Sequence, residues 1–217
     1  MPESQSGRRG RPISPAESGP AQLTYWSGNM SESLEQKYRP LLEAIAFAGR
    51  AHHGQMRKDG RTPYVSHVYR VCLIVRDVFG VADPEVLAAA VLHDTLEDTT
   101  TDFDDLEEQF GRDVAAWAAA LSKDKRLVEG AREKAYVAAL RSSPWQVQVC
   151  KLADIYDNLS DVANLPSARR PHALARAEQY FAALKQIKAP EAVKPIALVE
   201  RLLAELHGAG GSSSRKD

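Results

Sequence analysis

The sequence predicts an all-α protein, for three reasons. Ala, Leu and Glu are frequent between residues 31 and 207, apolar residues recur there with a helical period, and no sustained run of alternating β-branched residues occurs. The chain has 217 residues, of which 44% are hydrophobic. Since a chain of this length buries roughly 70% of its extended-chain surface, we expect one domain with its own core.

The helices follow from this periodicity and from start and stop signals. We predict helices over 34–53, 66–79, 84–98, 102–109, 112–122, 130–142, 144–158, 171–187 and 190–206. The first helix ends near Gly54, a residue suited to a C-cap. A polar loop over 54–65 separates it from the second helix.

Proline marks three of the helix starts. Asp83 precedes Pro84 and supplies a cap in front of proline at the first helical position. The pairs Ser143-Pro144 and Ala189-Pro190 indicate two more starts in the same way.

Composition also predicts the domain limits. Residues 1–30 are rich in Ser, Gly, Pro and Arg, and 208–217 form a polar, Gly/Ser-rich end. We therefore expect two disordered tails around a domain over 31–207.

Charge and hydropathy exclude several classes of protein. The chain has 28 Lys and Arg residues against 29 Asp and Glu, so no global positive field is available to bind nucleic acid. No run of 18 apolar residues and no secretory signal is present, which predicts a cytoplasmic protein that does not enter a membrane. Cys72 and Cys150 lie within apolar stretches, as expected for core thiols in a reducing compartment.

The helix that begins at Pro84 contains the residues that indicate a metal site. It is apolar around its whole circumference before it reaches His93, Asp94, Glu97 and Asp98, and such a helix belongs in the protein interior. Carboxylates at a helix C-terminus face the negative end of its dipole, and each costs several kcal/mol to bury without a partner. A divalent cation would offset both penalties. The alternative, a solvated acidic surface, suits residues 102–108 better than His93 and Asp94.

Two further segments supply ligands of the same kinds. One is the end of the first helix, with His52 and His53, and the other is a largely apolar helix with Lys151, Asp154 and Asp157. Imidazoles and carboxylates from separate helices form a mixed nitrogen and oxygen shell that suits Mn²⁺, Fe²⁺ or Zn²⁺.

These segments resemble a known family. The order His52, His93-Asp94, Asp154 is similar to the H…HD…D pattern of HD-superfamily metal-dependent phosphohydrolases. The segments AHHGQMRKDG, PYVSH, AAAVLHDTLEDT and KLADIYDNL resemble the hydrolase domain of Rel/Spo alarmone enzymes over about residues 36 to 187. The resemblance implies an HD-domain helical bundle of about eight to ten helices and a single-domain small alarmone hydrolase.

The resemblance also implies roles for individual residues. The metal ligands would be His52, His93, Asp94 and Asp154, with Mn²⁺ expected and Zn²⁺ or Fe²⁺ as alternatives. Glu97 and Asp98 match an acidic pair that orients and deprotonates the attacking water, a role that a carboxylate one helical turn from a ligand can fill.

On the substrate side, the resemblance implies that Arg57 and Lys58 contact the nucleotide. His67 and Asn158 would line the pocket. Lys151 is open to two interpretations, a phosphate contact or a surface charge.

One segment departs from the family pattern. Where long family members have HNMRT, this chain has DNLSD, which places Asp157, Ser160 and Asp161 at the positions of His, Arg and Thr. One positive charge fewer and two more acids near the nucleotide should weaken recognition of a 5′ polyphosphate.

The resemblance therefore predicts hydrolysis of (p)ppGpp at its 3′ position to GDP or GTP and pyrophosphate. A ppApp-type alarmone or NADPH is the alternative substrate class. A catalytically silent alarmone-binding module is the alternative outside enzymes, but the complete set of candidate ligands argues against it. The expected partner is a small phosphorylated nucleotide, and the sequence identifies no protein partner.

Overall fold

The computed structural model describes residues 30–212, and within that range it is built from α-helices. They are α1 (Met30–Ala51), α2 (Val65–Leu73), α3 (Pro84–Leu92), α4 (Thr95–Asp98), α5 (Phe103–Phe110), α6 (Arg112–Leu121), α7 (Glu129–Ser142), α8 (Trp145–Ser160), α9 (Arg170–Leu184) and α10 (Pro190–Ser212). A π-helical stretch, Ile74–Phe79, continues α2, and two short 3₁₀ turns lie between α8 and α9. The all-α prediction is confirmed: among these residues the only β-type pairing is an isolated bridge between Met56 and Pro63.

The predicted domain limits stay a prediction. Residues 1–29 and 213–217, which make up most of both predicted tails, lie outside the described residues. The last helix is assigned through Ser212, beyond the predicted limit at 207.

Helices α3 and α8 lie at the centre of the fold. Helix α3 packs against α1, α2, α6 and α8, whereas α8 also contacts α9 and α10. Every residue from Val86 to Leu92 is buried, as predicted for a helix that is apolar on all sides. Groups that follow α3 or lie within α8 are therefore held by packing on several sides.

Helices begin at the predicted start signals, and Asp83 acts as a side-chain cap. The Asp83 carboxylate accepts hydrogen bonds from the backbone N–H groups of Glu85 and Val86, at 2.9 and 3.3 Å. These two donors have no partner within the helix, so the cap satisfies them. Helix α10 begins at Pro190, and Pro144 is the N-cap of α8.

Two glycines shape the chain on either side of α2. Gly54 has φ 75° in the turn that follows α1, and Gly80 has φ 87° where the π-helical stretch ends. Both lie in the left-handed region, where a side chain is unfavourable. Between Gly54 and α2, the loop closes on itself through backbone hydrogen bonds from Arg57 to Thr62 and from Tyr64 to Gln55.

The two cysteines are core residues, as predicted. Cys72 and Cys150 are buried, and neither forms a disulfide with another described residue. Each helix in the described part of the chain is too short or too polar to traverse a lipid bilayer.

The packing of α3 predicts a large effect of one substitution. Leu87 is fully buried, so Leu87→Ala should lower the free energy of unfolding by about 2–5 kcal/mol through lost burial and a residual cavity. Leu42→Ala is the control, because Leu42 is exposed and its change should be below about 0.5 kcal/mol. Urea unfolding followed by circular dichroism measures both. Equal midpoints for the two variants would contradict the central position of α3.

Candidate active site

The predicted helix over 84–98 is interrupted at His93 and Asp94, two of the predicted metal ligands. Helix α3 ends at Leu92, His93 and Asp94 form a turn, and α4 begins at Thr95. Side chains form hydrogen bonds with the backbone carbonyl groups at the end of α3. His93 Nδ1 lies 2.8 Å from the Ala90 carbonyl oxygen, and Thr95 Oγ1 donates to the Leu92 carbonyl oxygen at 2.6 Å. Such side-chain bonds compete with helical ones, which explains why a single helix was the wrong prediction.

Four residues meet below this turn and form what we term the acid–imidazole cluster: His67, His93, Asp94 and Asp154. One ligand atom each of His67, His93 and Asp154 lies within 4.8 Å of the others. Asp154 Oδ1 is 3.2 Å from His67 Nε2 and 4.0 Å from His93 Nε2. Asp94 Oδ2 is 3.6 Å from His67 Nε2 and 2.9 Å from His93 Nε2. Helix α2, the α3–α4 turn and helix α8 thus converge on one point.

His52 is the predicted ligand that the structure does not bring into this cluster. Its side chain is buried, and its Nδ1 lies 2.9 Å from Gln55 Oε1. The Tyr64 ring lies between the two histidines, with its centroid 5.0 Å from that of His52 and 5.6 Å from that of His67. His67, expected only to line the pocket, therefore takes the place in the cluster that the sequence pattern gave to His52.

The donors of the cluster suit a divalent cation. Since His93 Nδ1 faces a carbonyl oxygen, which only accepts, Nδ1 carries a proton, and Nε2 is the nitrogen that faces the cluster and could ligate a cation. That Nε2 atom is buried and has no hydrogen-bond partner among the described residues. Two carboxylates and two imidazole nitrogens around one point match the mixed ligands of first-row transition metals.

Protons can balance the same carboxylates when no cation is bound. Burial lowers the pKa of His67, but hydrogen bonds to Asp154 and Asp157 outweigh burial and raise it to about 9. Burial likewise raises the pKa of Asp154, yet the Lys151 ammonium and the imidazoles hold it well below its usual range. The cluster is thus an anionic site that requires compensating positive charge.

Lys151 and Asn158 both support Asp154 from within α8. Lys151 Nζ is 2.6 Å from Asp154 Oδ2, and Asn158 Nδ2 donates to Oδ1 at 2.5 Å. Lys151 is 7% exposed and lies over the rings of Tyr136 and Tyr180, so its interpretation as a surface charge is wrong. Asn158 is exposed at the edge of the site and also reaches Arg57.

The acidic pair lies one turn beyond the cluster. Glu97 is half-buried, its Oε2 accepts from the Lys123 backbone N–H at 3.0 Å, and burial raises its pKa. Asp98 is more exposed and forms an ion pair of 2.9 Å with Lys125. Tyr64 links the two regions, because its hydroxyl donates to Asp94 Oδ2 at 2.5 Å and lies 3.4 Å from Asp98 Oδ2.

The two basic residues of the loop have different surroundings. Arg57 is nearly enclosed: its guanidinium donates to Asp161 at 3.1 Å and to Asn158 at 3.3 Å. Partial burial and the nearby cations of Arg176 and Lys123 lower the pKa of Lys58. Several cations therefore lie near one another around Lys58, whereas the charge of Arg57 is balanced by Asp161.

The departures from the family pattern occupy defined positions. Asp161 pairs with Arg57, and Asp157 is fully buried against His67 rather than facing open solvent. The Ser160 hydroxyl donates to the Tyr156 carbonyl oxygen of its own helix.

Sequence reasoning missed Tyr64, Lys123 and Tyr180. Tyr64 stands within the matched PYVSH segment, so that motif held a signal for it. Lys123 and Tyr180 come together through Glu133, which is 3.3 Å from Lys123 Nζ and accepts from the Tyr180 hydroxyl at 2.5 Å. No local pattern indicates these contacts, because they join residues far apart in the chain.

Comparison with known proteins gives a consistent picture. The chain is 36% identical over 148 residues to the guanosine-3′,5′-bis(diphosphate) 3′-pyrophosphohydrolase MESH1 of Drosophila melanogaster, which covers 67% of this chain and 81% of the relative. It is 32% identical over 154 residues to the bifunctional (p)ppGpp synthase/hydrolase SpoT of Escherichia coli K12, covering 67% of this chain and 21% of that protein.

A solved structure shows the same fold. It is described as a metazoan ortholog of SpoT that hydrolyzes ppGpp and plays a role in starvation responses. The superposition has a TM-score of 0.69 and 29% sequence identity, and it covers 77% of this chain and 95% of the other. A family model for the HD domain matches residues 44–186. The resemblance drawn from the sequence is confirmed: the chain belongs to the HD domain family.

Proposed function

We propose that this protein hydrolyses (p)ppGpp at its 3′ position and releases pyrophosphate with GDP or GTP. The observation that carries the proposal is the acid–imidazole cluster, which lies within an HD domain beside Glu97 and near the cations at Lys58 and Lys123. The activity named for the relatives supports this choice of substrate. We place the reaction in the cytoplasm, as the composition predicts.

We propose that the cluster holds Mn²⁺. His67 and His93 would contribute Nε2, and Asp94 and Asp154 would each contribute a carboxylate oxygen. When bound, the cation would supply Lewis-acid activation of the phosphoryl group and of water. Lys151 and Asn158 hold the Asp154 carboxylate in place, and Tyr64 holds that of Asp94.

Glu97 is the residue that we propose to accept the proton of the attacking water. Its raised pKa brings it closer to neutral pH, where a general base is most effective. The Lys123 backbone N–H fixes the direction of its carboxylate. Asp98, held by Lys125 and near the Tyr64 hydroxyl, would help to orient the water.

The cations around Lys58 supply the substrate-binding part of the proposal. Burial lowers the pKa of Lys58, and repulsion from Arg176, Lys123 and Arg57 lowers it further, so an anion bound among these cations would relieve that repulsion. A polyphosphate is such an anion. Lys123 also keeps the contact with Glu133, so it has a defined position before substrate arrives.

One observation favours a second substrate class. The guanidinium of Arg57 is already paired with Asp161 and lies 3.7 Å from Asp157, so it has little charge to offer a 5′ phosphate. The alternative that this observation favours is therefore a nucleotide with less negative charge at that end, such as NADPH.

A substrate panel distinguishes these candidates. Purified protein with Mn²⁺ should release pyrophosphate from ppGpp and pppGpp with a higher kcat/KM than for ppApp, and little orthophosphate from NADPH. Chromatography of the products gives the bond that is cleaved. Orthophosphate release from NADPH as the fastest reaction would replace the proposed substrate while keeping the same site.

Replacement of single histidines tests the ligand set. His67→Ala should reduce both bound Mn²⁺ and hydrolysis to background, because it removes one of the four proposed ligands and the imidazole that lies between Asp154 and Asp157. His52→Ala should retain bound Mn²⁺, and His53→Ala is the control on an exposed neighbour. Metal content after dialysis, with thermal unfolding as a check of folding, measures the result. Loss of metal in His52→Ala but not in His67→Ala would restore the set given by the sequence pattern.

Glu97→Gln separates metal binding from proton transfer. The amide keeps the shape of the side chain but cannot accept the proton, so kcat should fall by about 100-fold or more while Mn²⁺ content is unchanged. Asp104→Asn, an acid of the exposed face of α5, serves as the control. Wild-type kcat in Glu97→Gln at full metal occupancy would remove Glu97 from the proposed mechanism.

A further inference from the structure

A second buried carboxylate lies behind the acid–imidazole cluster. Asp157 follows Asp154 on α8 and is fully buried. Its Oδ2 lies 2.7 Å from His67 Nδ1, and its Oδ1 lies 2.7 Å from Arg70 Nε. Arg57 is further away, with 3.7 Å between its Nη1 atom and Asp157 Oδ2. Asp157 therefore touches the side of His67 that faces away from Asp94 and Asp154.

The chemistry of this contact fixes the state of the imidazole. An ionised carboxylate only accepts hydrogen bonds, so the proton between Asp157 and His67 belongs to Nδ1. In a neutral imidazole the other nitrogen, Nε2, then carries the lone pair. That nitrogen is the one that lies 3.2 Å from Asp154 Oδ1 and 3.6 Å from Asp94 Oδ2.

The surroundings keep Asp157 in one place. Two guanidinium groups balance its charge, and α8 is packed on several sides. His67 has only 2% exposure, so its ring has little room to rotate once both nitrogens are engaged. The direction of the His67 ring is thus set from behind the cluster.

We propose that Asp157 is a positioning residue that fixes the ring and the tautomer of His67, so that Nε2 is available to a divalent cation. This inference rests on the proposed metal site. A carboxylate behind a ligating histidine orients the ring and increases its basicity, and loss of such a partner commonly weakens metal binding by roughly 10- to 100-fold. Asp157 touches neither substrate nor cation in this proposal.

Variants of the pair separate positioning from packing. Arg70→Leu removes the ion pair but keeps the bond to His67. Asp157→Leu combined with Arg70→Leu removes that bond as well without leaving Arg70 unpaired. Asp157→Asn keeps an oxygen that can accept from His67 Nδ1. Isothermal titration of the full chain with Mn²⁺ gives the Kd of each, and circular dichroism checks folding.

The double variant should bind Mn²⁺ at least roughly ten-fold more weakly than Arg70→Leu alone. Asp157→Asn should recover most of the affinity, because the acceptor is restored. Equal Kd values for the folded double variant and Arg70→Leu would overturn the proposal. If the wild type binds Mn²⁺ but hydrolyses no nucleotide of the panel, the proposed function fails and this inference stands.

The tautomer of His67 can also be measured directly in the wild type, so this test does not depend on the folding of a variant. In the Zn²⁺-loaded protein, a long-range ¹H–¹⁵N spectrum of the histidine rings should show His67 protonated at Nδ1, with the signals assigned through residue-specific labelling. The Nε2-protonated form of His67, or a wild type that binds no divalent metal, would overturn the proposal.

Discussion

The site depends on one constraint: each carboxylate in the protein interior needs a positive charge or a hydrogen-bond donor beside it. Asp94, Asp154 and Asp157 lie in or beside the central packing of α3 and α8, where an unpaired charge costs several kcal/mol or more. Each has a nearby cationic or hydrogen-bonding group, from Lys151, Arg70 or the imidazoles. The apolar helices hold these acids in place, and the compensating groups prevent them from destabilising the core.

The same arrangement separates the roles of the two central helices. Helix α3 is buried and apolar from Val86 to Leu92, and His93 and Asp94 follow it directly. The free carbonyl groups at its end form hydrogen bonds with side chains. Helix α8 carries Lys151, Asp154 and Asp157 along its length. One helix thus terminates at the site, while the other passes through it, and the loop after α1 covers the open side with Tyr64 and Arg57.

Much of this could be predicted from the sequence, for identifiable reasons. The uniform apolar character of α3 indicates a buried helix, and proline with a preceding cap indicates where it begins. The choice between His52 and His67 could not be made in this way, since both histidines adjoin the same polar loop. In the structure the closure of that loop inserts the Tyr64 ring between them and leaves His67, not His52, in the acid–imidazole cluster. Likewise, the sequence identifies Asp157 as an unusual acid but does not show that it faces His67 rather than the nucleotide.

Helix α8 leaves little freedom in the register of its residues. Lys151, Asp154 and Asn158, with Asp161 directly after the helix, point towards the site, while Val149, Leu152 and Ile155 fill the core. Because one residue corresponds to about 100° of helical rotation, a single inserted or deleted residue would turn the acids into the core and the aliphatic residues into the site. Homologous chains should therefore differ here by replacement alone, and length polymorphism should be concentrated in the connection between α6 and α7, where residues 124–128 are exposed.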